Sequence, residues 1–181
     1  MAGSTRDAIV DAATALLDEG GPAAVTLREV GRRAGVSHNA PYKHFADKET
    51  LLAAVAAREL HAYAALLTTD SEGGIAAALT AYLNQALSHP ARFRLVFGPW
   101  TSDDARLGDA ADTARDALLD AVTASQRTGE LPAGDPIALA ELLRATSHGA
   151  IELALGGHLA KNGSTTTPAD LVSRLLALLA P

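Results

Sequence analysis

The segment between Thr26 and Phe45 constrains the fold of this chain more than any other. Thr26 is a good helix N-cap, and small or apolar residues follow it at helical spacing, with arginines outside their stripe. These residues are Leu27, Val30, Gly31 and Ala34. Gly35 then stands where a chain leaving a helix often adopts a left-handed conformation. Since Ser37 can cap a second helix with Phe45 as its buried anchor, the segment predicts a helix-turn-helix.

The remaining sequence predicts an all-helical (all-α) protein. Only 4% of the residues are aromatic, alanine and leucine dominate, and β-branched residues do not alternate as in strands. Apolar periodicity and capping residues predict nine helices. They cover 5–19, 27–34, 38–45, 48–67, 75–88, 91–97, 103–127, 136–155 and 168–179. Asp47, Pro136 and Thr167 mark the expected starts of three of them.

The composition excludes several classes of site. The sequence contains no cysteine, which rules out disulfides, thiolate metal sites and thiol nucleophiles. No apolar run reaches the ~18 residues of a membrane helix, and the N-terminus lacks the basic-then-apolar pattern of a signal peptide. We therefore expect a cytoplasmic protein.

The charge is distributed unevenly along the chain. The net charge is −6, but residues 26–48 carry five basic side chains against two acidic ones, a balance of +3 that leaves −9 elsewhere. The basic side chains are those of Arg28, Arg32, Arg33, Lys43 and Lys48. A local basic face on an acidic protein suits contact with a polyanion at one place, because binding depends on local phosphate neutralisation. The alternative is ordinary variation of surface charge.

The two C-terminal helices carry more apolar surface than one partner can cover, above all 168–179. One interpretation is a four-helix interface between two copies of the chain. Its predicted residues are Leu139, Leu143, Leu153, Leu171, Leu175 and Leu178. In the other interpretation both helices belong to the core of a monomer.

Residues 5–52, about a quarter of the chain, closely resemble the DNA-binding domain of the tetracycline-repressor (TetR) family of bacterial transcriptional regulators. Four segments in the family's order and spacing carry the resemblance: Val25-Thr26-Leu27-Arg28-Glu29-Val30, Ala34-Gly35-Val36-Ser37, Tyr42-Lys43-His44-Phe45 and Asp47-Lys48-Glu49-Thr50-Leu51-Leu52. More weakly, 89–99 and His148-Gly149 resemble the effector domain of a subgroup named for a Trp-His-Gly motif. Ser147 stands in the place of the tryptophan.

The resemblance implies a DNA-binding domain at 1–50 and an effector-binding and dimerisation domain at 51–181. The expected function is that of a repressor that binds a palindromic operator as a homodimer and is released by a small-molecule effector. The two recognition helices of such a dimer lie ~34–36 Å apart. No cofactor and no catalytic residue are expected.

A recognition helix presents its N-terminal residues to base edges in the major groove. The candidates for base readout are His38, Asn39, Ala40 and Lys43. Asparagine can form hydrogen bonds with adenine, lysine can form hydrogen bonds with guanine, and a methyl group can contact the methyl group of thymine. By resemblance, phosphate contacts fall to Thr26, Tyr42, His44 and Lys48, with Arg28 near the DNA and Ser37 as a cap and possible phosphate contact. Tyr42 could instead be a packing aromatic, and His44 a solvated histidine.

Two residues depart from the family's pattern. Gly31 replaces the usual alanine, at a cost of up to ~1 kcal/mol in helix propensity, which suggests a close approach of two helices. Pro41 lies within the expected recognition helix, at its fourth position if Ser37 is the N-cap. There it would remove the first intrahelical hydrogen bond and distort the first turn.

The effector pocket of the family lies among the middle helices. Aromatic residues and one histidine are the candidates to line it: Tyr63, Tyr82, Phe93, Phe97, Trp100 and His148. Most aromatic residues are simply core. His148 and Glu152 share a helix face and could bind a metal or form a hydrogen-bonded polar pair.

Two other functions remain open from the residues. An enzyme could use His148, Glu152 and His158, with acids of 103–120 around a divalent ion, but the chain has no phosphate loop, nucleophile motif or predicted sheet. A helical module that contacts only protein would leave Lys43 and Lys48 without a role.

Overall fold

The computed structural model describes residues 4–68, 73–100, 104–159 and 161–180. Within these ranges it contains nine α-helices, a short 3-10 turn at Lys161–Gly163 and no strand. The helices are α1 (Thr5–Ala24), α2 (Leu27–Arg33), α3 (Ala40–His44), α4 (Lys48–Thr68), α5 (Gly74–Ser88), α6 (Pro90–Val96), α7 (Ala105–Thr128), α8 (Pro136–Leu155) and α9 (Pro168–Leu179). The predicted fold class and number of helices are confirmed. Two details, the loop through 69–72 and a start of α7 at Asp103, lie outside the described residues.

Side-chain caps mark the starts of several helices. The Thr26 hydroxyl accepts a hydrogen bond from the Glu29 N–H at 3.2 Å, and Asp135 caps α8. Thr167 forms a reciprocal capping box at the start of α9. The Thr50 N–H donates to Asp47 Oδ1 at 2.8 Å, and this hydrogen bond lowers the pKa of Asp47 below its ordinary value. The predicted starts at these caps are confirmed.

The described residues pack as two compact units. The first draws on Met1–His61 and His89–Asp112, and the second on Ala62–Ser88 and Thr113–Pro181. The first unit thus combines the helix-turn-helix with α6, which packs on α1. A domain boundary after residue 50 stays a prediction.

The core of the first unit is formed by α1, α2, the end of α3 and the start of α4. Phe45 is 2% exposed and Val30 fully buried within it, so the prediction that Phe45 is a buried anchor is confirmed. α1 loses helical geometry at Gly20 and Gly21, where φ is +67° at the second glycine. This break agrees with the predicted end of the first helix.

Arg92 on α6 connects three helices of this unit. Its guanidinium donates to Asp18 on α1, with Nε–Oδ1 at 2.9 Å and Nη2–Oδ2 at 2.5 Å. Its Nη1 lies 3.5 Å from Oε2 of Glu59 on α4, whose side chain is only 7% exposed. The hydrogen bond to Asp18 raises the pKa of Arg92 above its ordinary value.

Helix α4 is long and apolar enough to cross a membrane by length and composition. Its apolar residues Leu51 and Val55 are, however, buried in the core of the first unit. Arg58 on the same helix forms an ion pair with Asp11 and donates to the Thr14 hydroxyl. These contacts identify α4 as a core helix.

The second unit is built on contacts among α5, α8 and α9. Leu139 and Leu143, predicted at a dimer interface, are 9% and 0% exposed within the single chain. That part of the prediction is wrong, because both side chains face the core of the unit. Leu171 and Leu175 are half-buried.

Large apolar side chains remain exposed on α8 and α9. They are Ile137 at 61%, Leu142 at 43%, Leu153 at 45% and Leu178 at 85%. The first two were not among the predicted interface residues. Helical periodicity indicated the apolar helices but could not separate the face packed in the core from the face left in solvent.

Candidate nucleic-acid interface

The recognition helix is shorter than the sequence predicts. α3 begins at Ala40, and Asn39 is its N-cap without a side-chain capping bond, so the predicted cap at Ser37 is wrong. In a longer helix, the N–H at position 41 would donate to the Ser37 carbonyl, but proline has none. The Ala40 N–H donates to that carbonyl instead, at 2.9 Å. Pro41 therefore becomes the second helical residue, a position that tolerates proline.

The two unusual residues of the motif contact each other. A Cβ atom built on Gly31 would lie 2.9 Å from Cγ of Pro41, closer than carbon atoms normally approach. Glycine in α2 thus makes room for the proline ring of α3, and the predicted close approach of two helices is confirmed. Gly35 has φ of +65°, the left-handed turn that the sequence predicts.

Most of the predicted DNA-contacting side chains lie on the surface. Thr26, Arg28, Ser37, His38, Asn39, Tyr42, Lys43 and His44 are exposed, and Lys48 is half-buried. Tyr42 is 51% exposed and its ring centroid lies 5.9 Å from that of His38, so it is not a core aromatic. Ala40 is only 9% exposed. Its methyl group packs inward, and we assign it no base contact.

Two of the five basic side chains of the motif are neutralised by ion pairs. Arg32 pairs with Glu29 at 2.5 Å and Arg33 with Glu19 at 2.5 Å. The hydrogen bond from Arg32 lowers the pKa of Glu29 below its ordinary value. Within the described part of the chain, the three other cations of the motif form no ion pair: Arg28, Lys43 and Lys48. These three are available to phosphate oxygens.

Sequence reasoning missed one cation near α3. The guanidinium carbon of Arg6 lies 5.3 Å from the centroid of the Phe45 ring, at the end of the recognition helix. The arginine is thereby held beside the motif by a cation–π contact. No local pattern indicates this pair, because the two residues are far apart in the sequence.

The candidate pocket residues divide between the two units. In the second unit, Tyr63 is 2% exposed, and its ring lies 4.9 Å from that of Tyr82 in an edge-to-face arrangement. Burial raises the pKa of the Tyr82 hydroxyl above its ordinary value. His148, also in this unit, is half-buried.

The other three candidates belong to the first unit. Phe93 is fully buried, and its ring centroid lies 5.0 Å from that of Phe97, which is 40% exposed. Trp100 is half-buried, and its Nε1–H donates to the Val96 carbonyl at 3.3 Å. Trp100 also lines a cleft of about 620 Å³.

A metal site at His148 and Glu152 gains no support from the geometry. Among the described residues, no group of three or more histidine, aspartate or glutamate side chains could hold a metal ion. Glu152 is exposed. We assign this pair no ligand role.

Two family models match the chain. The model described as bacterial regulatory proteins, tetR family, matches residues 9–55, the region of the helix-turn-helix. The model described as tetracyclin repressor-like, C-terminal domain, matches residues 75–179, or 105 of 181 residues. The chain belongs to the TetR family of bacterial regulatory proteins. This confirms the predicted family and places the chain among DNA-binding regulators rather than enzymes. The Trp-His-Gly subgroup stays a prediction.

Individual relatives agree with this assignment. The HTH-type transcriptional repressor Rv3405c of Mycobacterium tuberculosis is 44% identical over 48 residues, 26% of each chain. This chain therefore aligns with only about a quarter of the length of the curated relatives it matches.

Two solved structures are similar over nearly the whole chain. A Rhodococcus sp. RHA1 protein of unknown function is 29% identical with a TM-score of 0.80, covering 99% of this chain and 97% of its own. SmeT, the repressor of the Stenotrophomonas maltophilia multidrug efflux pump SmeDEF, is 26% identical with a TM-score of 0.68, covering 98% and 91%. Their similarity extends through both units of the fold.

Proposed function

We propose that this chain is a transcriptional repressor that binds a palindromic operator as a homodimer and is released by a small-molecule effector. The observation that carries the proposal is the exposure of Asn39 and Lys43 at α3, together with the cations Arg28 and Lys48 of the same motif, which form no ion pair with another described residue. Repressors also occur among the relatives of this chain.

Base readout falls to Asn39, Lys43 and His38, which are all exposed at or near the start of α3. An asparagine amide can form two hydrogen bonds with adenine, and a lysine can reach guanine O6 and N7. Charged and polar groups around them position the protein on phosphates without reading sequence. These groups are Thr26, Arg28, Ser37, Tyr42, His44 and Lys48.

Selection of binding sites from random duplex DNA tests the operator, and we expect a palindrome. Asn39→Ala should then relax specificity at one position, at a cost of about 1–3 kcal/mol for the preferred base. Lys48→Ala should weaken binding to all DNA sequences by a similar factor. It should also reduce the number of counterions released on binding, read from the salt dependence of the affinity, by about one. Fluorescence anisotropy at several salt concentrations measures both effects.

Lys161→Ala, which removes an exposed lysine from the second unit, is the control for this experiment. It should leave DNA affinity unchanged. Recovery of no palindromic sequence would refute the operator proposal. A uniform loss of affinity from Asn39→Ala would show that this residue contacts phosphate rather than a base.

The apolar surface of α8 and α9 supports dimerisation. Ile137, Leu142, Leu153 and Leu178 expose large side chains in the isolated chain. Burial of these groups between two copies would stabilise a symmetric four-helix interface. Such a dimer sets the distance between its recognition helices, which an effector can change by binding one state preferentially.

Leu178→Glu should convert the dimer into a monomer, because the leucine is 85% exposed in one chain and a buried carboxylate without a partner is costly. Sedimentation velocity across a range of concentrations measures the change. Ser173→Glu is the matched control, since Ser173 is exposed on another side of α9. If Leu178→Glu remains dimeric at the same concentrations as the control, the interface lies elsewhere.

We infer that the effector site of the second unit includes the Tyr63–Tyr82 pair. Aromatic walls with a few polar groups are typical of small-molecule sites. Ser147, on α8 of the same unit, is our candidate for such a polar group, since its Oγ is buried without a hydrogen-bond partner in the structure. By thermodynamic linkage, an effector that weakens DNA binding must itself bind more weakly to the DNA complex.

A further inference from the structure

A cleft in the first unit is lined in part by Lys48, one of the cations that we propose to contact DNA. Its walls come from the end of α1, the start of α4, and α6 with the residues that follow it. Its volume of about 620 Å³ is that of a small-molecule site. The lining includes Pro22, Leu52, Leu95 and Trp100, so most of the wall is apolar.

Two cations line the cleft from different helices. Lys48 lies at the start of α4 and Arg94 on α6, and neither forms an ion pair with another described residue. Glu49 also lines the cleft, which leaves an excess of one positive charge. Two cations facing an apolar wall are complementary to a molecule with an anionic group and an apolar body.

Trp100 contributes an apolar surface that orients a ligand in the cleft. Its Nε1–H already donates to the Val96 carbonyl at 3.3 Å, so the ring offers the cleft its apolar surface rather than a donor. Leu95 and Trp100 pack against the core of the unit and remain only partly buried. The charged side chains of the lining are Lys48, Glu49 and Arg94, and of these only the two cations attract an anionic group of a ligand.

We propose that this cleft binds an aromatic monocarboxylate, with its carboxylate held by Lys48 and Arg94 and its ring against Trp100. The site is separate from the Tyr63–Tyr82 site of the second unit. One consequence rests on the proposed function: a carboxylate bound to Lys48 removes a cation from the DNA-contacting surface. The carboxylate and DNA therefore weaken each other's binding by the same factor.

Phenylbutyrate and its uncharged amide test the site in the full-length protein. Trp100 is the only tryptophan of the sequence, so its emission reports on this cleft directly. We expect a saturable change of emission with phenylbutyrate and binding at least about tenfold weaker with the amide, because the amide carries no negative charge to pair with the two cations and has one acceptor oxygen instead of two. Isothermal titration calorimetry provides the stoichiometry of one ligand per chain.

Arg94→Gln should weaken phenylbutyrate binding about tenfold while leaving the circular dichroism spectrum unchanged, since Arg94 is exposed. Arg174→Gln, the same change at an exposed arginine of α9, should have no effect. Equal affinity for acid and amide, no saturable change, or unchanged binding in Arg94→Gln would each overturn the proposed site.

The coupling to DNA is measured separately. Phenylbutyrate at saturation should weaken DNA binding by the wild type and have no such effect on Lys48→Ala. Since the fluorescence titration contains no DNA, its failure does not bear on the repressor proposal. Binding of phenylbutyrate without any change in DNA affinity would refute the coupling through Lys48.

Discussion

Arg92→Met is expected to lower the free energy of unfolding by about 2–3 kcal/mol, the largest effect that we predict for a single substitution. The change leaves the Glu59 carboxylate, only 7% exposed, without its guanidinium neighbour and also removes the bidentate contact with Asp18. Breaking a buried ion pair by removing one partner costs about 3–5 kcal/mol. We expect less here because Asp18 remains 30% exposed.

Urea denaturation at one protein concentration measures this loss, since the proposed dimerisation would make apparent stability depend on concentration. Arg32→Met is the matched control, because the ion pair of Arg32 with Glu29 is exposed at the surface. Its expected cost is below about 1 kcal/mol. The double variant Arg92→Met with Glu59→Gln should recover part of the loss, as no buried carboxylate remains. If Arg92→Met and Arg32→Met lower the free energy of unfolding by the same amount, the buried contact with Glu59 does not stabilise the protein more than a surface ion pair does.

Gly31→Ala is expected to destabilise the protein by about 1–2 kcal/mol, although alanine is the better helix former. The added methyl would lie 2.9 Å from Cγ and 3.4 Å from Cδ of Pro41, and the proline ring cannot rotate away. Overpacking of this kind costs about 1–3 kcal/mol, which exceeds the gain in helix propensity. DNA affinity should fall too, because relief of the clash moves α3 relative to α2.

The same substitution elsewhere provides the control. Gly108 lies in α7, and a Cβ atom built there meets no other atom within 4 Å, so Gly108→Ala should stabilise by up to about 1 kcal/mol. In a Pro41→Ala background, Gly31→Ala should likewise become stabilising. Thermal and urea unfolding of the four combinations at positions 31 and 41 measure the coupling. If Gly31→Ala has the same effect with and without the proline, the two residues are not coupled.

Local patterns predicted most of the helices of the described chain. The starts at Thr26, Asp47 and Thr167 follow from side chains that bond backbone groups three residues away, which is a local interaction visible in sequence. The turn at Gly35 follows from the conformational freedom of glycine. The start of α3 was predicted wrongly from the cap at Ser37, because Pro41 has no N–H to bond the Ser37 carbonyl and the helix begins at Ala40 instead.

The candidate interface was predicted less completely than the helices. The spacing of the motif predicted that the exposed residues of α3 belong to the recognition helix. It also made Ala40 a candidate for base readout, although this residue is only 9% exposed. Counting charges gave five cations without revealing that Arg33 is paired with Glu19, a residue of another helix. The cleft beside Lys48 had no signal in the sequence, since its walls come from segments far apart in the chain.

The sequence by itself determined the helices, the glycine turn, the buried Phe45 and the family, because caps, periodicity and motif spacing act between near neighbours in the chain. Only the tertiary structure decided which cations remain available, which leucines of α8 and α9 are exposed, and why Gly31 accompanies Pro41. Those properties depend on distances between residues of different helices. Such distances arise only when the helices pack, and helical periodicity alone does not specify which partner each face meets.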